Sequence, residues 1–267
     1  MIQTTITPAY ADFAGERAKQ EWVLNAARDA WGEVHAKTLL AKNNLGVTLH
    51  KLGCLPQARE LLESALNNGP RVWGKKHPNT MVTMHNLASL LNDVGDASQA
   101  LVLLIRVMKW HRCTFGDEHP DTIDAMGNLA YVHSRLGNHE AAKELQAAVL
   151  KFRRQHFGKD HPETLEAMGD LGSTINNIAV DLRNEGYLAD AEPLQLEALK
   201  LVMKAFGSDH LVTACVLSAT GALLARRGAV EQAYACFSQA LEIREKRLGA
   251  DATLTQLVRN RLYGLRH

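Results

Sequence analysis

The sequence contains few cysteines, and no two of them have the spacing of a metal or redox site. Four occur in 267 residues, and they lie far apart at Cys54, Cys113, Cys215 and Cys236. Without a C-x-x-C pair, a zinc site built on cysteines is not expected. Isolated thiols are typical of a reducing compartment, so we predict a cytoplasmic protein without a metal site.

Long apolar runs and an excess of one charge are also missing. No stretch approaches the roughly 18 apolar residues of a transmembrane helix, so we expect no membrane span. The N-terminal segment MIQTTITPAYADFAGER lacks a basic start and an apolar stretch, and it therefore does not resemble a secretory signal. Thirty Lys and Arg residues balance 29 Asp and Glu residues, which gives a net charge of +1. This balance gives no reason to expect nucleic acid or a membrane as a partner.

Motifs of the common enzyme classes are absent as well. The sequence has no nucleophile elbow, no H-E-x-x-H, no phosphate loop and no dinucleotide fingerprint. We therefore predict a non-enzymatic protein with no catalytic residue and no cofactor. The twelve histidines leave one alternative open. In this alternative, His85, Tyr131 and their neighbours bind a small molecule or act on it as an acid–base pair.

What the sequence contains instead is an internal repeat. Six glycines lie 42 residues apart, with one interval of 49, at Gly32, Gly74, Gly116, Gly158, Gly207 and Gly249. After each of the first five, a histidine follows at the third position and a threonine at the sixth, as in GDEHPDT. Each unit holds two apolar stretches of helical period, separated by a second glycine. Short amphipathic helix pairs cannot bury their apolar faces alone, so the units must stack on one another.

The repeated histidine has a structural interpretation. Proline is favourable in the first turn of a helix, where its missing N–H leaves no hydrogen bond unmade. His77, His119 and His161 each precede such a proline. We therefore predict that these histidines lie near helix caps and do not bind a metal.

A second set of residues keeps the same register. Asn44, Asn86 and Asn128 follow the repeated threonine by six positions, and the fifth unit has Ala219 there. Asn177 takes this place in the fourth unit if seven residues are inserted before it. Because seven residues are nearly two helical turns, the insertion predicts a first helix that is longer by about 10 Å.

The inserted segment also contains two glycines. Gly169 and Gly172 lie within the predicted long helix, and glycine destabilises a helix interior. A bulge or a kink in this segment is therefore the alternative to a simple extension.

These residues together resemble the tetratricopeptide repeat, in the 42-residue form found in kinesin light chains. The shared pattern is G-x-D-H-P-x-T, then N-x-A, then Gly and Ala, as in GDEHPDTIDAMGNLAYVHSRLGNHEAA. The resemblance implies an all-α fold: a right-handed superhelical solenoid of helix pairs with a capping helix at each end. No sustained heptads precede the repeats, so the chain does not resemble a complete kinesin light chain.

The resemblance also divides the chain. We expect a single repeat domain over residues 1–267, with an N-terminal capping helix in 1–31 and a C-terminal one in 249–267. The repeats between them are expected at 32–73, 74–115, 116–157, 158–206 and 207–248. Such arrays occur alone or as parts of larger proteins, and both remain open here.

A function follows from the resemblance too: a protein–protein interaction module that binds an extended peptide or linear motif. In this family the first helices line a concave groove, and groove asparagines hold a peptide backbone. An amide suits this role because it offers a donor and an acceptor together. The predicted groove residues are Asn43, Asn44, His85, Asn86, Ser89, Asn128, Tyr131, Asn176, Asn177 and Arg183. The alternative is that the asparagines join neighbouring helices and hold the stack together.

Basic residues near the predicted groove add an expectation about the ligand. They are Lys42, Lys51, Arg135, Arg183, Arg226 and Arg227. If several face inward, an acidic ligand or a terminal carboxylate is favoured, because arginine binds carboxylates bidentately. Solvated surface is the alternative for each of them. A self-assembling scaffold that pairs through its end helices is the remaining functional alternative, and the oligomeric state is open.

Overall fold

The computed structural model describes residues 8–265, with side chains from residue 15 onward. Residues 1–7 and 266–267 lie outside the described residues. They are the outer ends of the two predicted capping segments, and residues 1–7 also belong to the N-terminal segment that does not resemble a secretory signal. The described residues form twelve α-helices and no strand. These are α1 (Pro8–Trp31), α2 (Ala36–Lys51), α3 (Leu55–Val72), α4 (Pro78–Asp93), α5 (Ala97–Phe115), α6 (Pro120–Arg135), α7 (His139–Phe157), α8 (Pro162–Glu185), α9 (Leu188–Phe206), α10 (Leu211–Arg226), α11 (Val230–Leu248) and α12 (Thr253–Gly264).

The helices follow one another as helix pairs joined by short turns. We call α2, α4, α6, α8 and α10 the first helices and α3, α5, α7, α9 and α11 the second helices. The turn within a pair needs a residue in the left-handed region, and Gly95 after α4 has φ of 92°. Glycine adopts this conformation without the steric penalty of a Cβ atom. The predicted glycine-terminated first helix is therefore present.

Histidine caps start the first helices. The Nδ1 atoms of five histidines accept a hydrogen bond from the backbone N–H two residues later, at 3.1–3.3 Å: His35, His77, His119, His161 and His210. These bonds satisfy one of the N–H groups that a helix start leaves without a partner. The predicted structural role of His77, His119 and His161 is therefore confirmed.

The turns that lead into the first helices contain two further recurring contacts. An aromatic ring at the C-terminal end of α1, α3, α5, α7 and α9 stacks on the capping histidine that follows, as Phe115 does on His119 with ring centroids 4.6 Å apart. The repeated threonine is fully buried, and the Thr80 hydroxyl donates to the carbonyl oxygen of Gly74 at 2.8 Å. Together these contacts fix the turn between one helix pair and the next.

The chain divides into two compact units, one up to Val132 and one from His133 onward. We call them unit 1 and unit 2. In unit 1, Met81 and Met84 of α4 pack with Val107 of α5 and Ala125 of α6. In unit 2, Leu171 and Ile175 of α8 pack with Ala198 and Val202 of α9 and with Val216 of α10. Each core is therefore built between neighbouring helix pairs, as stacking repeats require.

The insertion in the fourth repeat lengthens one helix. Helix α8 has 24 residues, whereas α2, α4, α6 and α10 each have 16. It is a single uninterrupted α-helix, so the structure shows the predicted extension and not the alternative bulge. A Cβ atom at Gly172 would lie 2.9 Å from Val202 Cγ1 and 3.0 Å from Leu201 Cβ. Glycine is therefore explained here by the close approach of α9 and not by a break in the helix.

None of the helices among the described residues combines the length and the apolar character that crossing a bilayer requires.

Candidate functional site

The predicted groove residues of unit 1 lie on α2, α4 and α6. Asn44 and Asn128 are exposed, and Asn86 between them in register is half-buried. Ser89 and Tyr131 follow one turn later on α4 and α6, and Tyr131 is 56% exposed. We call this surface of α2, α4 and α6 the first-helix face.

Side-chain amides on this face bond from one repeat to the next. Asn86 donates through Nδ2 to Oδ1 of Asn43 at 3.0 Å, and Asn43 donates to Oδ1 of Asn44 at 3.2 Å. The Nδ2 atom of Asn128 lies 3.5 Å from Nε2 of His85, which is the same offset of 43 residues. We call this row the amide ladder. The asparagines of unit 1 therefore join neighbouring helices, as the structural alternative predicted. These hydrogen bonds also fix the orientation of each bonded amide.

Asn43 is a correction to the predicted site. It is only 4% exposed, because it lies one position before the exposed asparagine and so turns toward α4. Its carbonyl oxygen is occupied by Asn86. Asn43 therefore lies beneath the surface, where it positions Asn44 and Asn86, and it does not face a ligand.

His85 separates two depressions on the first-helix face. One is open to solvent and is lined by His85, Ser89, Asn128 and Tyr131 among others. The other is also open to solvent and is lined by Met81, Val82, His85, His111, Asp121, Asp124 and Ala125. The predicted residues of α4 and α6 are therefore brought together around one imidazole.

The protonation of His85 is biased by its surroundings. Burial lowers its pKa, His111 lowers it further, and Asp124 opposes both effects. Burial also lowers the pKa of His111. A neutral His85 has one ring nitrogen that accepts and one that donates, so it can accept from Asn128. Between residues 15 and 265, no three His, Cys, Asp or Glu side chains form a group that could hold a metal ion.

An apolar depression between α1 and α2 continues the same side of unit 1. It is open to solvent, and its lining residues include Trp22, Val23, Trp31, Leu40 and Asn44. Trp22 is 71% exposed, and the Lys37 ammonium lies 4.1 Å from the centre of the Trp31 ring. The sequence reasoning missed this surface, although Leu40 and Val82 repeat four positions before Asn44 and Asn86.

In unit 2 the predicted residues are less accessible. Asn176 is 6% exposed and accepts from Nε2 of Gln195 at 2.9 Å, so it too is buried and does not face a ligand. Asn177 is half-buried, and Nδ2 of Asn176 donates to its Oδ1 at 3.4 Å. Arg183 is half-buried and donates to the carbonyl oxygen of Ala219 at 3.5 Å and to Oδ1 of Asn184 at 3.0 Å.

Two of the predicted basic groove residues have internal partners. Lys42 is 4% exposed, and its ammonium lies 2.6 Å from the Glu33 carboxylate and 3.0 Å from the Ser64 hydroxyl. Arg227 forms an ion pair with Glu192. Lys42 therefore cannot favour an acidic ligand, because its charge is neutralised below the surface.

Comparisons with known proteins identify the repeat. A family model described as tetratricopeptide repeat matches residues 37–109, 85–155, 127–174 and 172–246. No curated protein matches the chain.

Solved structures with the same fold have low identity to this chain. TPR-like repeats from Podosopora anserina, described as nearly identical and of kinesin-light-chain type, are 21% identical, with 79% of this chain and 96% of that chain covered and a TM-score of 0.57. BtubC (BKLC) from P. vanneervenii is 18% identical, with 90% and 94% covered and a TM-score of 0.57. YrrB, described as a TPR protein with an unusual peptide-binding site, is 14% identical, with 89% and 97% covered and a TM-score of 0.54. The predicted all-α fold of repeat helix pairs and the resemblance to kinesin-light-chain repeats are confirmed.

Proposed function

Because the chain belongs to the tetratricopeptide repeat family, we propose that it is a non-enzymatic module that binds an extended peptide of a partner protein on the first-helix face of unit 1. Protein–protein interaction is the general role of tetratricopeptide repeats. A similar fold in YrrB is described with a peptide-binding site, and we extend that activity to this chain as part of the proposal. The cytoplasmic location remains a prediction from the sequence.

The observation that carries the proposal is the amide ladder. In an extended peptide, N–H and C=O groups need partners along the chain, and an amide side chain offers both. Each ladder contact uses one group of an amide, so Asn86 retains Oδ1 and a second N–H after it donates to Asn43. A fixed amide loses less conformational entropy on binding than a free one.

The depressions beside the ladder supply places for side chains. Successive side chains of an extended peptide point to opposite sides, so a backbone along the ladder presents every second one to the surface. The apolar depression at Trp22 and Leu40 suits an aromatic or aliphatic side chain, which gains free energy by leaving water. The depression at His85, Ser89 and Tyr131 suits a polar one.

A displayed library of random peptides provides the test, because no ligand has to be known in advance. The affinity of a selected peptide is then measured by fluorescence anisotropy for the wild type and for Asn44→Ala combined with Asn128→Ala. Both residues are exposed, so the fold should tolerate the change. We expect at least about a tenfold loss, the size of one or two hydrogen bonds made on binding.

The matched control replaces two exposed asparagines on α1 and α3. Asn25→Ala combined with Asn67→Ala should leave the affinity unchanged. An equal loss in both double variants, or no selected peptide at all, would contradict the proposal. Saturable binding of a small molecule that is weakened in His85→Gln, with no peptide selected, would instead support the alternative centred on His85 and Tyr131.

A further inference from the structure

Three arginines in unit 2 lie on helices that hold equivalent positions in successive repeats. Arg183 is in the last turn of α8, Arg226 is the last residue of α10, and Arg261 is in the last turn of α12. Counting in steps of 42 residues from Asn177 gives Ala219 and then Arg261. Arg261 therefore occupies, in α12, the position that the exposed asparagines occupy in the repeats of unit 1.

Hydrogen bonds connect Arg183 and Arg226, and α12 adds Arg261. Nη1 of Arg226 donates to the carbonyl oxygen of Arg183, and Nη1 of Arg183 donates to the carbonyl oxygen of Ala219. Burial lowers the pKa of the Arg183 guanidinium, and the positive charges of Arg261 and then Arg226 lower it further. We call these three residues the arginine cluster.

The cluster lacks acidic partners. Several other arginines of unit 2 form ion pairs, including Arg227 with Glu192, Arg247 with Asp209 and Arg259 with Glu245. For the arginine cluster, no Asp or Glu oxygen within residues 15–265 lies within 4.0 Å. The C-terminal carbonyl groups of α8, α10 and α12 offset only part of this positive charge.

From this arrangement we infer that the arginine cluster binds a dianionic oxyanion, of the kind that a phosphate monoester carries. Guanidinium groups present planar pairs of N–H donors that match the oxygens of phosphate. A dianion neutralises most of three positive charges, whereas one carboxylate neutralises only a third of them. The inference goes beyond the proposed function and does not require the peptide of unit 1, because the same oxyanion is carried by a phosphorylated peptide and by a free phosphorylated compound.

Isothermal titration calorimetry with inorganic phosphate tests the inference without a peptide. We expect saturable binding to the wild-type chain, and about a tenfold weaker affinity for Arg261→Gln, which removes one set of charge-assisted hydrogen bonds. Arg261 is exposed, so this variant should fold normally, and an unchanged melting temperature without phosphate checks that. Arg226→Lys keeps the charge but loses the planar donors, and we expect an intermediate loss.

Arg154→Gln is the matched control, because Arg154 is an exposed arginine of unit 2 on a second helix, α7. It should bind phosphate as the wild type does. Absence of saturable binding to the wild type, or an equal loss in Arg154→Gln and Arg261→Gln, would overturn the inference. Acetate that binds as tightly as phosphate would also overturn it, because a dianion would then have no advantage.

A short phosphoserine peptide with alanine flanks separates the two sources of phosphate. Tighter binding than inorganic phosphate assigns the group to a peptide, and equal binding assigns it to a free phosphorylated compound. Because inorganic phosphate has no backbone, its failure to bind would leave the peptide proposal for unit 1 standing. Failure of the peptide library would likewise leave the phosphate titration interpretable.

Discussion

Asn86 donates a hydrogen bond through Nδ2 to Oδ1 of Asn43 across 43 residues of sequence, at 3.0 Å. The acceptor is 4% exposed and the donor is half-buried, so one end of the contact is internal and the other reaches the first-helix face. The same amide thus links two neighbouring repeats and is held in a fixed orientation at the surface where a ligand is proposed to bind.

Replacing Asn86 should therefore destabilise unit 1. Asn86→Ala leaves the buried Oδ1 of Asn43 without its partner, and we expect a loss of about 1–2 kcal/mol in the free energy of unfolding. Urea denaturation measures this loss. The control is Asn25→Ala, at an exposed position of α1, which should change the free energy of unfolding by less than about 0.5 kcal/mol. The double variant with Asn43→Ala should lose less than the sum of the two single losses. Strict additivity would show that the contact contributes nothing.

The histidine caps make a separate prediction. His77→Ala removes the acceptor for the N–H of Asn79 and the ring that stacks on Trp73, so we expect a loss of about 1 kcal/mol. His77→Ser keeps an acceptor at the cap and should recover most of it. Thermal or urea unfolding checks both, with Lys76→Ala as the neighbouring exposed control. If serine were no better than alanine, the cap would not be the source of the effect.

Helix α8 offers a test of close packing. Gly172→Ala places a Cβ atom 2.9 Å from Val202 Cγ1, so we expect a loss of about 1–3 kcal/mol from overpacking. The control is Gly127→Ala in α6, where a Cβ atom meets nothing within 4 Å. That change should stabilise by up to about 1 kcal/mol, because alanine favours helix and glycine does not. Equal effects of the two substitutions in urea denaturation would contradict the packing of α8 against α9.

The pH dependence of stability should reflect His85. Burial, with the charge of His111, lowers the pKa of His85 in the folded state below its ordinary value of about 6.5. As the pH falls through about 6.5, the unfolded chain takes up the proton first, so stability decreases. His85→Gln keeps an acceptor for Asn128 but cannot titrate, and its stability should fall less between neutral and mildly acidic pH. A steeper fall in the variant would mean that the histidine is stabilised in its charged form.

Much of the fold could be predicted because each repeat signals its own structure. Gly95 and the histidine before Pro78 mark a helix end and a helix start through local backbone rules, and they act there in the structure as expected. The 49-residue interval likewise predicted the longer α8, because whole helical turns preserve its apolar face.

The site was harder to predict because its chemistry depends on contacts between repeats. An asparagine bonds equally well to a ligand and to a neighbouring helix, so spacing alone did not show that Asn43 and Asn176 are buried. Lys42 was misplaced for a similar reason, since its partners Glu33 and Ser64 are brought to it by packing. The position of Arg261 was available from the repeat count, and extending the asparagine register into α12 would have found it.

Side-chain amide NMR detects directly whether a peptide backbone binds the amides of the first-helix face. Nδ2 signals of Asn44, Asn86 and Asn128 are recorded during titration with a peptide selected from the library. We predict that these three signals shift with the same saturation curve, while those of Asn25 and Asn67 on α1 and α3 stay in place. Shifts confined to Asn25 and Asn67, with the three first-helix signals unmoved, would contradict it.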